Sequence, residues 1–241
     1  MTSSADVSVQ SMEYKKAQDT KAQDTNAQDI KVLFGGTFDP FHNGHLAICQ
    51  HVAQILGQIK KITLLPAHIP PHKAMATATS EQRIAMLEAL KLGYALFEID
   101  DRELYRDKPS YTFDTLAEMK AEAPLQALNF IIGMDSLLTL TKWHRWDELL
   151  TLCNLIVCTR PHYDNGNKNQ HVAPDVKKYL TPLDTFQLSA SKQIVILPPV
   201  NLDISSSEIR QQLSSGVAVD TLSHCLPEQI ITYLSRTTLY R

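Results

Sequence analysis

The sequence is poor in the features that mark secreted, zinc-bound and membrane-spanning proteins. Its four cysteines form no C-x-x-C pair, and the spacing of Cys153 and Cys158 fits no common zinc site. No run of ~18 apolar residues is present to cross a bilayer, and the N-terminus lacks the basic and apolar segments of a signal peptide. We therefore expect a cytoplasmic protein whose thiols are reduced and packed in the core.

Neither sign of charge is in large excess, because 23 Lys and Arg residues are balanced by 26 Asp and Glu residues, which gives a net charge of −3. No dense basic segment occurs, so the electrostatic signature of a nucleic-acid-binding protein is missing. The chain has neither G-x-G-x-x-G nor G-x-x-x-x-G-K-[ST], which excludes the usual dinucleotide fingerprint and the P-loop. Small phosphorylated ligands stay compatible with this charge, because a few placed cations suffice for them.

Residues 1–29 differ in composition from the rest of the chain. Residues 16–29 read KAQDTKAQDTNAQD, a polar tandem repeat whose five-residue period matches neither a helix nor a strand. We interpret residues 1–29 as a disordered, low-complexity tail, with a docking tag as the less favoured alternative. Residues 30–241 are predicted to form one folded domain.

Apolar runs alternate with helical patterns in residues 30–241. The predicted strands are IKVLFGG, KITLLPA, LFEID, LNFIIG, NLIVCT and QIVILP, which begin at residues 30, 61, 96, 128, 154 and 193. One predicted helix covers 44–57, and Ile48 is followed by Val52, Ile55 and Ile59 at helical spacing. Another covers 80–92 with Ser80 as its cap and Ile84, Leu87 and Leu90 facing inward. The alternation favours an α/β fold in which helices cover both faces of a parallel sheet. Ligands of such sheets bind beyond the carboxyl ends of the strands.

The segment GGTFDPFHNGH, residues 35–45, follows the first predicted strand. Glycines at a strand end let the backbone approach a ligand, and a helix that starts near Asn43 offers free N–H groups and a partial positive charge to an anion. His42 and His45 lie about one turn apart, so both rings can point past the helix start. Two imidazoles there can donate hydrogen bonds to phosphoryl oxygens as charge develops. The alternative is a surface loop with helix-capping histidines.

This segment resembles the nucleotidyltransferase signature G-G-x-F-D-x-x-H-x-G-H, whose H-x-G-H core also resembles that of class I aminoacyl-tRNA synthetases. Further segments resemble motifs of bacterial nicotinate-mononucleotide adenylyltransferases in the same order: PPHK (70–73), PSYTFDTL (109–116), FIIGMDSL (130–137), KWHRWDELL (142–150) and ISSSEIR (204–210). The resemblance covers about residues 30–241 and implies a Rossmann-like doubly wound sheet. It also implies transfer of AMP from ATP to nicotinate mononucleotide, which gives nicotinate adenine dinucleotide (deamido-NAD) and pyrophosphate in NAD biosynthesis.

The resemblance further implies which residues bind ATP. The catalytic residues would be His42, His45, Lys73 and Arg210: the imidazoles bind the phosphates, Lys73 reaches a phosphate, and Arg210 holds the leaving pyrophosphate. The other ATP-binding positions would be Gly35, Gly36, Thr37, Phe38, Asp135, Ser205 and Ser206. Ser205 and Glu208 also fit an S-x-x-E capping box, which would open a helix beside Arg210.

The acceptor, nicotinate mononucleotide, would be bound by Lys73, Tyr111, Thr112, Trp143 and His144. The resemblance implies that Trp143 stacks on the pyridine ring, whereas Tyr111–Thr112 and the backbone at His144 bind the nicotinate carboxylate. The spacing of Trp143 and Trp146 on a predicted helix by itself favours core positions. Hydroxyl and N–H donors suit a carboxylate better than an amide, so we expect the acid to be preferred over nicotinamide mononucleotide.

Several alternatives accompany this interpretation. Related enzymes that adenylylate phosphopantetheine or transfer CMP share the H-x-G-H loop but do not account for the SYT and KWHRW segments. A nucleotide-binding sensor without turnover is the alternative from another class.

The sequence shows no tight Asp/Glu cluster that would indicate a permanent metal site, so Mg²⁺ is expected to arrive with ATP. His162 stands where the family often has glycine, which leaves the role of Arg160 open. No nucleic acid or membrane partner is expected, and the sequence does not determine the oligomeric state.

Overall fold

The computed structural model describes residues 29–68, 76–107, 109–159, 171–200 and 204–241. The strands in these ranges are β1 (Ile30–Gly36), β2 (Ile62–Pro66), β3 (Phe97–Ile99), β4 (Ala127–Gly133), β5 (Cys153–Cys158) and β6 (Ile194–Ile196). Each strand overlaps one of the six segments predicted from the apolar runs, and the ends of strand and segment agree within two residues. The prediction of the strands is therefore confirmed.

Helices fill the connections between the strands. The helices of the described ranges are α1 (Asn43–Leu56), α2 (Ser80–Gly93), α3 (Thr112–Glu122), α4 (Met134–Leu138), α5 (Trp146–Leu152), α6 (Pro174–Lys177), α7 (Ser206–Ser214) and α8 (Glu228–Ser235). Short 3-10 turns occur at Arg102–Tyr105, Leu140–Lys142 and Val219–Leu222. None of these helices is both long enough and apolar enough to cross a membrane.

The strands form a single sheet in the order β3-β2-β1-β4-β5-β6, and every pairing between neighbours is parallel. The chain moves outward from β1 to β3 and then returns to place β4 on the other side of β1. This reversal opens a crevice beyond the carboxyl ends of β1 and β4, which is where doubly wound folds bind ligands. The expected α/β, Rossmann-like architecture is therefore confirmed.

Apolar side chains cover both faces of the sheet, because successive residues of a strand point to opposite sides. In β1, Val32 and Phe34 join a cluster that is completed by α1, α2, α7 and α8. The intervening Leu33 joins a second cluster, to which α3, α4, α5 and α6 contribute. The near-continuous apolar runs in the sequence thus reflect strands that are buried on both sides.

Two details of the first helices differ from the sequence-based expectation. Helix α1 buries Gly44, Leu46, Cys49 and Val52, whereas Ile55, which continues the apolar spacing, is 37% exposed, and Ile59 lies beyond the helix. Helix α2 is capped by Thr79 rather than Ser80, in a reciprocal capping box with Gln82.

The four cysteines are all buried and free, as expected for reduced core thiols. Burial raises the pKa of Cys49 and raises that of Cys158 to about 12, so both remain protonated thiols at neutral pH. At the N-terminal end, residues 1–28, which carry most of the predicted tail, lie outside the described residues. The carbonyl oxygen of Asp29 accepts a hydrogen bond from the Ala127 N–H at 2.9 Å, so Asp29 is attached to the start of β4.

Candidate active site

His42 and His45 form a stacked pair at the start of α1, just beyond the carboxyl end of β1. Their ring centroids lie 3.7 Å apart with an angle of 21° between the planes. The His45 N–H donates to Nδ1 of His42, and the His42 N–H donates to Nδ1 of His45, both at 3.3 Å. Because each Nδ1 accepts, each neutral ring carries its proton on Nε2, which makes Nε2 a hydrogen-bond donor.

The ring of His45 is surrounded by aromatic side chains. Its centroid lies 5.8 Å from that of Phe34, 5.3 Å from that of Phe38 and 5.2 Å from that of Phe41. His42 is only 3% exposed, while His45 is half-buried. His45 is therefore the more accessible imidazole of the pair, and its surroundings exclude much of the water that weakens a hydrogen bond.

Three glycines of the loop are needed for close packing. A Cβ at Gly35 would lie 2.8 Å from the ring of Phe130, and one at Gly36 would lie 2.9 Å from the ring of Phe38. A Cβ at Gly44 would lie 3.0 Å from Nδ1 of His42. The glycines at the strand end and helix start therefore make room for aromatic and imidazole rings, in addition to any ligand.

The first turn of α1 offers fewer free N–H groups than the sequence suggested. The Asn43 N–H donates to the carbonyl of Cys225 at 2.7 Å, and the His42 N–H donates to Nδ1 of His45 at 3.3 Å. The His45 N–H is used by the His42 imidazole. The two capping histidines and the segment before α8 thus occupy three of the N–H groups that a helix start leaves without an intrahelical partner, so fewer of them are available to an anion than the sequence indicated.

Two other residues of the loop, Phe38 and Thr37, are held by packing and by a backbone hydrogen bond. Phe38 is 2% exposed and holds a φ of 49°, a left-handed conformation that is uncommon for a bulky residue. The Thr37 carbonyl accepts a hydrogen bond from Nη1 of Arg83 at 2.9 Å. Of the predicted ATP-binding positions, Phe38 thus supports the His45 ring, and Thr37 is fixed through its backbone.

Asp39 connects the histidine loop to Arg210. Nη1 of Arg210 donates to the Asp39 carbonyl oxygen at 2.7 Å, and Nη2 donates to the hydroxyl of Ser207 at 3.3 Å. The Arg210 side chain remains 28% exposed. The structure thus brings Arg210 to the same strand end as the two histidines, as the resemblance implied.

Helix α7 begins at Ser206, next to the histidine loop. Ser205 is its N-cap residue but makes no side-chain cap hydrogen bond, so the predicted capping box with Glu208 is wrong. The hydroxyl of Ser206 instead donates to the Pro40 carbonyl at 3.0 Å. The helix start is consequently tied to the loop while its first N–H groups lack a side-chain cap.

Asp135 lies in the first turn of α4, directly after β4, and is exposed. A Cβ at Gly133 would lie 2.4 Å from Oδ1 of Asp135, so the carboxylate lies against the backbone at the end of β4. Because β4 is the neighbour of β1, Asp135 is at the same edge of the sheet as the histidine pair.

The predicted acceptor residues Tyr111 and His144 lie together. Their ring centroids are 4.6 Å apart, and Tyr111 is the N-cap residue of α3 without a side-chain cap hydrogen bond. Thr112 is the first residue of that helix, so its N–H belongs to the helix start. The guanidinium of Arg145 lies 3.8 Å from the centroid of the neighbouring Phe113 ring, an arrangement typical of a cation–π contact.

Trp143 does not lie on a helix with Trp146, contrary to the prediction. Trp143 follows the 3-10 turn Leu140–Lys142 with extended backbone, whereas Trp146 begins α5. Arg145 between them has a φ of 53°, which breaks the helical spacing. Both indoles are partly buried against the second apolar cluster, and the break allows Trp143 and His144 to lie on a loop.

Sequence reasoning missed two buried charged residues that support the site. Arg83 is 1% exposed, and its Nη1 also donates to the Ala67 carbonyl at 2.6 Å. The sequence did indicate that Arg83 is buried, because it lies at helical spacing from Met86, Leu87 and Leu90 on the core face of α2. Glu103 is 7% exposed, and no pattern in the sequence distinguishes it from a surface residue.

Glu103 binds two hydroxyl groups on either side of the predicted acceptor residues Tyr111 and Thr112. Its Oε1 accepts a hydrogen bond from the hydroxyl of Thr115 at 2.7 Å, and the hydroxyl of Ser110 also bonds to its carboxyl group. Nη1 of Arg106 donates to the Thr115 hydroxyl at 2.6 Å. Burial raises the pKa of Glu103 above its ordinary value, although the Thr115 hydrogen bond and the charge of Arg106 partly oppose this increase in pKa.

Lys73 and Arg160, together with His162, lie outside the described residues. Within the described ranges, no group of three or more His, Cys, Asp or Glu side chains is arranged to hold a metal ion. The carboxylate of Asp39, although close to the histidines, already accepts hydrogen bonds from Thr77, Ala78 and Tyr240.

Comparison with known proteins identifies the family. The sequence model of the cytidylyltransferase-like family matches residues 33–212. A protein of Serratia proteamaculans named probable nicotinate-nucleotide adenylyltransferase is 42% identical over 218 residues, which cover 88% of this chain and 96% of the relative. A protein of the same name from Yersinia pestis is 41% identical over 215 residues, which cover 87% of this chain and 94% of the relative. The chain belongs to the nicotinate-nucleotide adenylyltransferase family.

Solved structures of this family share the fold. The nicotinic acid mononucleotide adenylyltransferase of Plasmodium falciparum, in complex with NaAD, matches with a TM-score of 0.68 at 18% identity, covering 88% of this chain and 97% of that one. The same enzyme in complex with APC matches with a TM-score of 0.64. The resemblance that the motifs indicated is thus confirmed for nearly all of residues 30–241.

Proposed function

We propose that this protein transfers AMP from ATP to nicotinate mononucleotide and releases nicotinate adenine dinucleotide and pyrophosphate. The observation that carries the proposal is the stacked pair of His42 and His45 at the crevice between β1 and β4, in a chain that belongs to a family named for this activity. The fold alone would support many activities, so the activity is inferred from the residues of the site.

The triphosphate of ATP is proposed to lie between the histidine pair and the start of α7. Each imidazole presents Nε2 as a donor, because Nδ1 is engaged by the backbone. The start of α7 adds a positive helix end, together with the charge of Arg210. The two ends are close in space, because Ile204 lies 3.5 Å from the position that a Cβ on Gly44 would occupy.

In the proposed reaction, a phosphate oxygen of nicotinate mononucleotide attacks the α-phosphorus of ATP. One phosphorus–oxygen bond forms as the bond from the α-phosphorus to the bridging oxygen breaks, and pyrophosphate leaves with the electron pair. The attacking phosphate monoester is already largely ionised at neutral pH, so no strong general base is required. The chain's contribution is positioning of the two substrates and stabilisation of charge.

His45 is proposed to make the most direct contact with the reacting phosphate. It is the more accessible ring of the pair, and its aromatic surroundings strengthen a hydrogen bond to a developing negative charge. His42 holds the orientation of His45 through the stacked contact and also donates to phosphate. Gly35 and Gly36 keep the backbone open toward the nucleotide, and Asp135 at the end of β4 is proposed to lie near the adenosine.

The acceptor is proposed to lie against Trp143, with the nicotinate carboxylate at the start of α3. Tyr111 supplies a hydroxyl and Thr112 a backbone N–H at a helix end that has no side-chain cap, and the backbone at His144 completes the set. Lys73 is assigned to a phosphate by the family motif. Mg²⁺ is proposed to enter with ATP as part of the substrate, since the described residues provide no carboxylate cluster for it.

The experiment that tests this function is pyrophosphate release from ATP with each candidate acceptor in turn. We expect release with nicotinate mononucleotide, little with nicotinamide mononucleotide, and none with phosphopantetheine. CTP in place of ATP is expected to give no comparable turnover. Binding of ATP without pyrophosphate release for any acceptor would instead identify a nucleotide sensor, and preferential turnover of phosphopantetheine or CTP would assign a sister activity.

A further inference from the structure

Asp39 lies at a point where four segments of the chain meet. Its Oδ2 accepts from the Thr77 N–H at 2.7 Å, and its Oδ1 accepts from the Ala78 N–H at 3.0 Å and from the Tyr240 hydroxyl at 2.7 Å. Nη1 of Arg210 lies 3.7 Å from Oδ2. We call these five residues the Asp39 junction; its carboxylate is 3% exposed.

The hydrogen bonds at the junction determine how Arg210 is held. A carboxylate has about four acceptor sites, and three of them are occupied by donors other than arginine, which lowers the attraction of the carboxylate for the guanidinium. Arg210 bonds to the backbone carbonyl of Asp39 at 2.7 Å, and its Nη1 stays 3.7 Å from Oδ2, beyond hydrogen-bond distance. A full bidentate ion pair with Asp39 would direct two of the guanidinium N–H groups away from the crevice.

Tyr240, the penultimate residue, is built into this arrangement. It is 7% exposed and holds a φ of 69°, a conformation that side-chain-bearing residues seldom adopt. The fold tolerates this backbone while it buries the ring and directs the hydroxyl to Asp39. Burial, followed by the hydrogen bond to Asp39, raises the pKa of Tyr240, so the hydroxyl donates throughout the neutral range.

We propose that Tyr240 is a positioning residue, which by occupying the Asp39 carboxylate keeps Arg210 oriented toward the phosphates of ATP. Without its hydroxyl, Oδ1 of Asp39 loses a donor and the Arg210 guanidinium closes onto the carboxylate. The positive charge of Arg210 then pairs with Asp39 and no longer stabilises the leaving pyrophosphate. This inference rests on the proposed phosphate-binding role of Arg210, and it gives the C-terminal segment a part in catalysis.

The test is a double-mutant cycle on the full chain, with KM for ATP, KM for nicotinate mononucleotide and kcat as readouts. Tyr240→Phe is expected to raise KM for ATP about tenfold, because it weakens the charge-assisted hydrogen bond from Arg210 to phosphate, with less than a twofold change in KM for the acceptor. In an Arg210→Ala background, the same substitution is expected to change KM for ATP less than twofold, because its effect acts through Arg210.

A matched control is Tyr233→Phe, which removes a hydroxyl from a half-buried tyrosine of α8 that packs against the same apolar cluster. It is expected to leave all three constants unchanged. Thermal unfolding of each variant establishes that the fold is retained. Should Tyr240→Phe not fold, Thr77→Pro tests the same link, because it removes the N–H that donates to Oδ2 and keeps the Asp39 carboxylate. KM for ATP is again expected to rise with KM for the acceptor unchanged, and wild-type constants would overturn the inference.

The outcomes separate this inference from the proposed function. Wild-type constants in Tyr240→Phe, with Arg210→Ala impaired, would overturn the role of Tyr240 and leave the proposed function intact. Equal effects of Tyr240→Phe with and without Arg210 would assign it a purely structural role and also overturn the inference. Wild-type constants in Arg210→Ala would remove the phosphate-binding role of Arg210 itself, and the inference would fall with it.

Discussion

Gly44 and His42 are in such close contact that no side chain fits between them. A Cβ at position 44 would lie 3.0 Å from Nδ1 and 3.1 Å from Cε1 of the His42 ring, and that ring is stacked on His45. The glycine of the H-x-G-H motif is therefore required by the imidazole pair itself. A substitution at this position has to displace the ring that orients His45.

Gly44→Ala is accordingly expected to lower kcat about tenfold, which is less than the ~10²–10³-fold lost when a group that stabilises the transition state is removed outright, because the His42 ring is displaced and not deleted. The free energy of unfolding should change little, because alanine favours the helix by about 0.5–1 kcal/mol relative to glycine and offsets the crowding. Steady-state kinetics and urea denaturation measure the two effects.

The matched control for that variant is Gly57→Ala. Gly57 ends α1 with a φ of 66°, and nothing lies within 4 Å of the position of its Cβ. Alanine there is strained, so stability should fall by about 1 kcal/mol while kcat stays at its wild-type value. The opposite pattern in the two variants would contradict the steric argument for Gly44.

Arg83→Met is expected to lower the free energy of unfolding by about 3 kcal/mol, because two partly buried carbonyl groups lose the donor that a buried guanidinium supplies. Those carbonyls belong to Thr37 and Ala67, which follow the carboxyl ends of β1 and β2. Activity at a temperature where the variant is folded should also fall, since the loop beneath His45 is released. Urea denaturation gives the first quantity and pyrophosphate release the second.

The exposed Arg236 provides the comparison for Arg83. Arg236→Met removes the same charge from the surface at the end of α8 and should change stability by less than about 0.5 kcal/mol. Similar losses in the two variants would show that net charge, and not the buried hydrogen bonds of Arg83, is responsible.

Glu103→Gln tests the pH dependence that follows from the raised pKa of the buried carboxyl group. Below the ordinary value of 4.5, Glu103 is protonated in both the folded and the unfolded state and contributes no difference. As pH rises through the folded-state pKa, ionisation of the buried group makes folding less favourable. The glutamine variant should therefore gain stability relative to wild type as pH rises from 4.5 through the folded-state pKa of Glu103.

Urea denaturation of both proteins at several pH values measures that difference directly. The subtraction removes the titration of all other groups, which the two proteins share. A difference that stays constant with pH, or that moves against Glu103→Gln as pH rises, would contradict the assignment of desolvation as the main cause of the shift.

Discrimination between the two pyridine mononucleotides tests the acceptor site. Tyr111, Thr112 and the backbone at His144 offer donors, which suit a carboxylate and leave the N–H groups of an amide without acceptors. We expect kcat/KM for nicotinate mononucleotide to exceed that for nicotinamide mononucleotide by at least about 100-fold. Comparable values for the two acceptors would show that these residues do not bind the carboxylate.

Much of the fold was predictable because β1, β4 and β5 are buried on both faces and so appear as apolar runs. The site was predictable where one short segment supplies it, as with His42 and His45. The predictions failed where distant segments decide the local structure. Asn43 donates to Cys225, and Trp143 leaves the expected helix because Arg145 adopts a left-handed backbone.

The contacts of Asp39 illustrate the same limit. A sequence shows an aspartate before a proline in a glycine-rich loop, and nothing in that segment reveals that the hydroxyl of Tyr240, 201 residues away, is its partner. Arg83 is the intermediate case, since its core position in α2 was visible, whereas the carbonyl groups that it binds were not. Residue type and spacing locate a candidate, and the packing of other elements decides what it does.

Pyrophosphate release by His45→Ala, measured with ATP and nicotinate mononucleotide, shows whether His45 stabilises the phosphate undergoing transfer. We expect a folded variant whose kcat is lower by about 10²–10³-fold, with a smaller change in KM for ATP. A folded His45→Ala protein with turnover close to that of the wild type would contradict this role of His45.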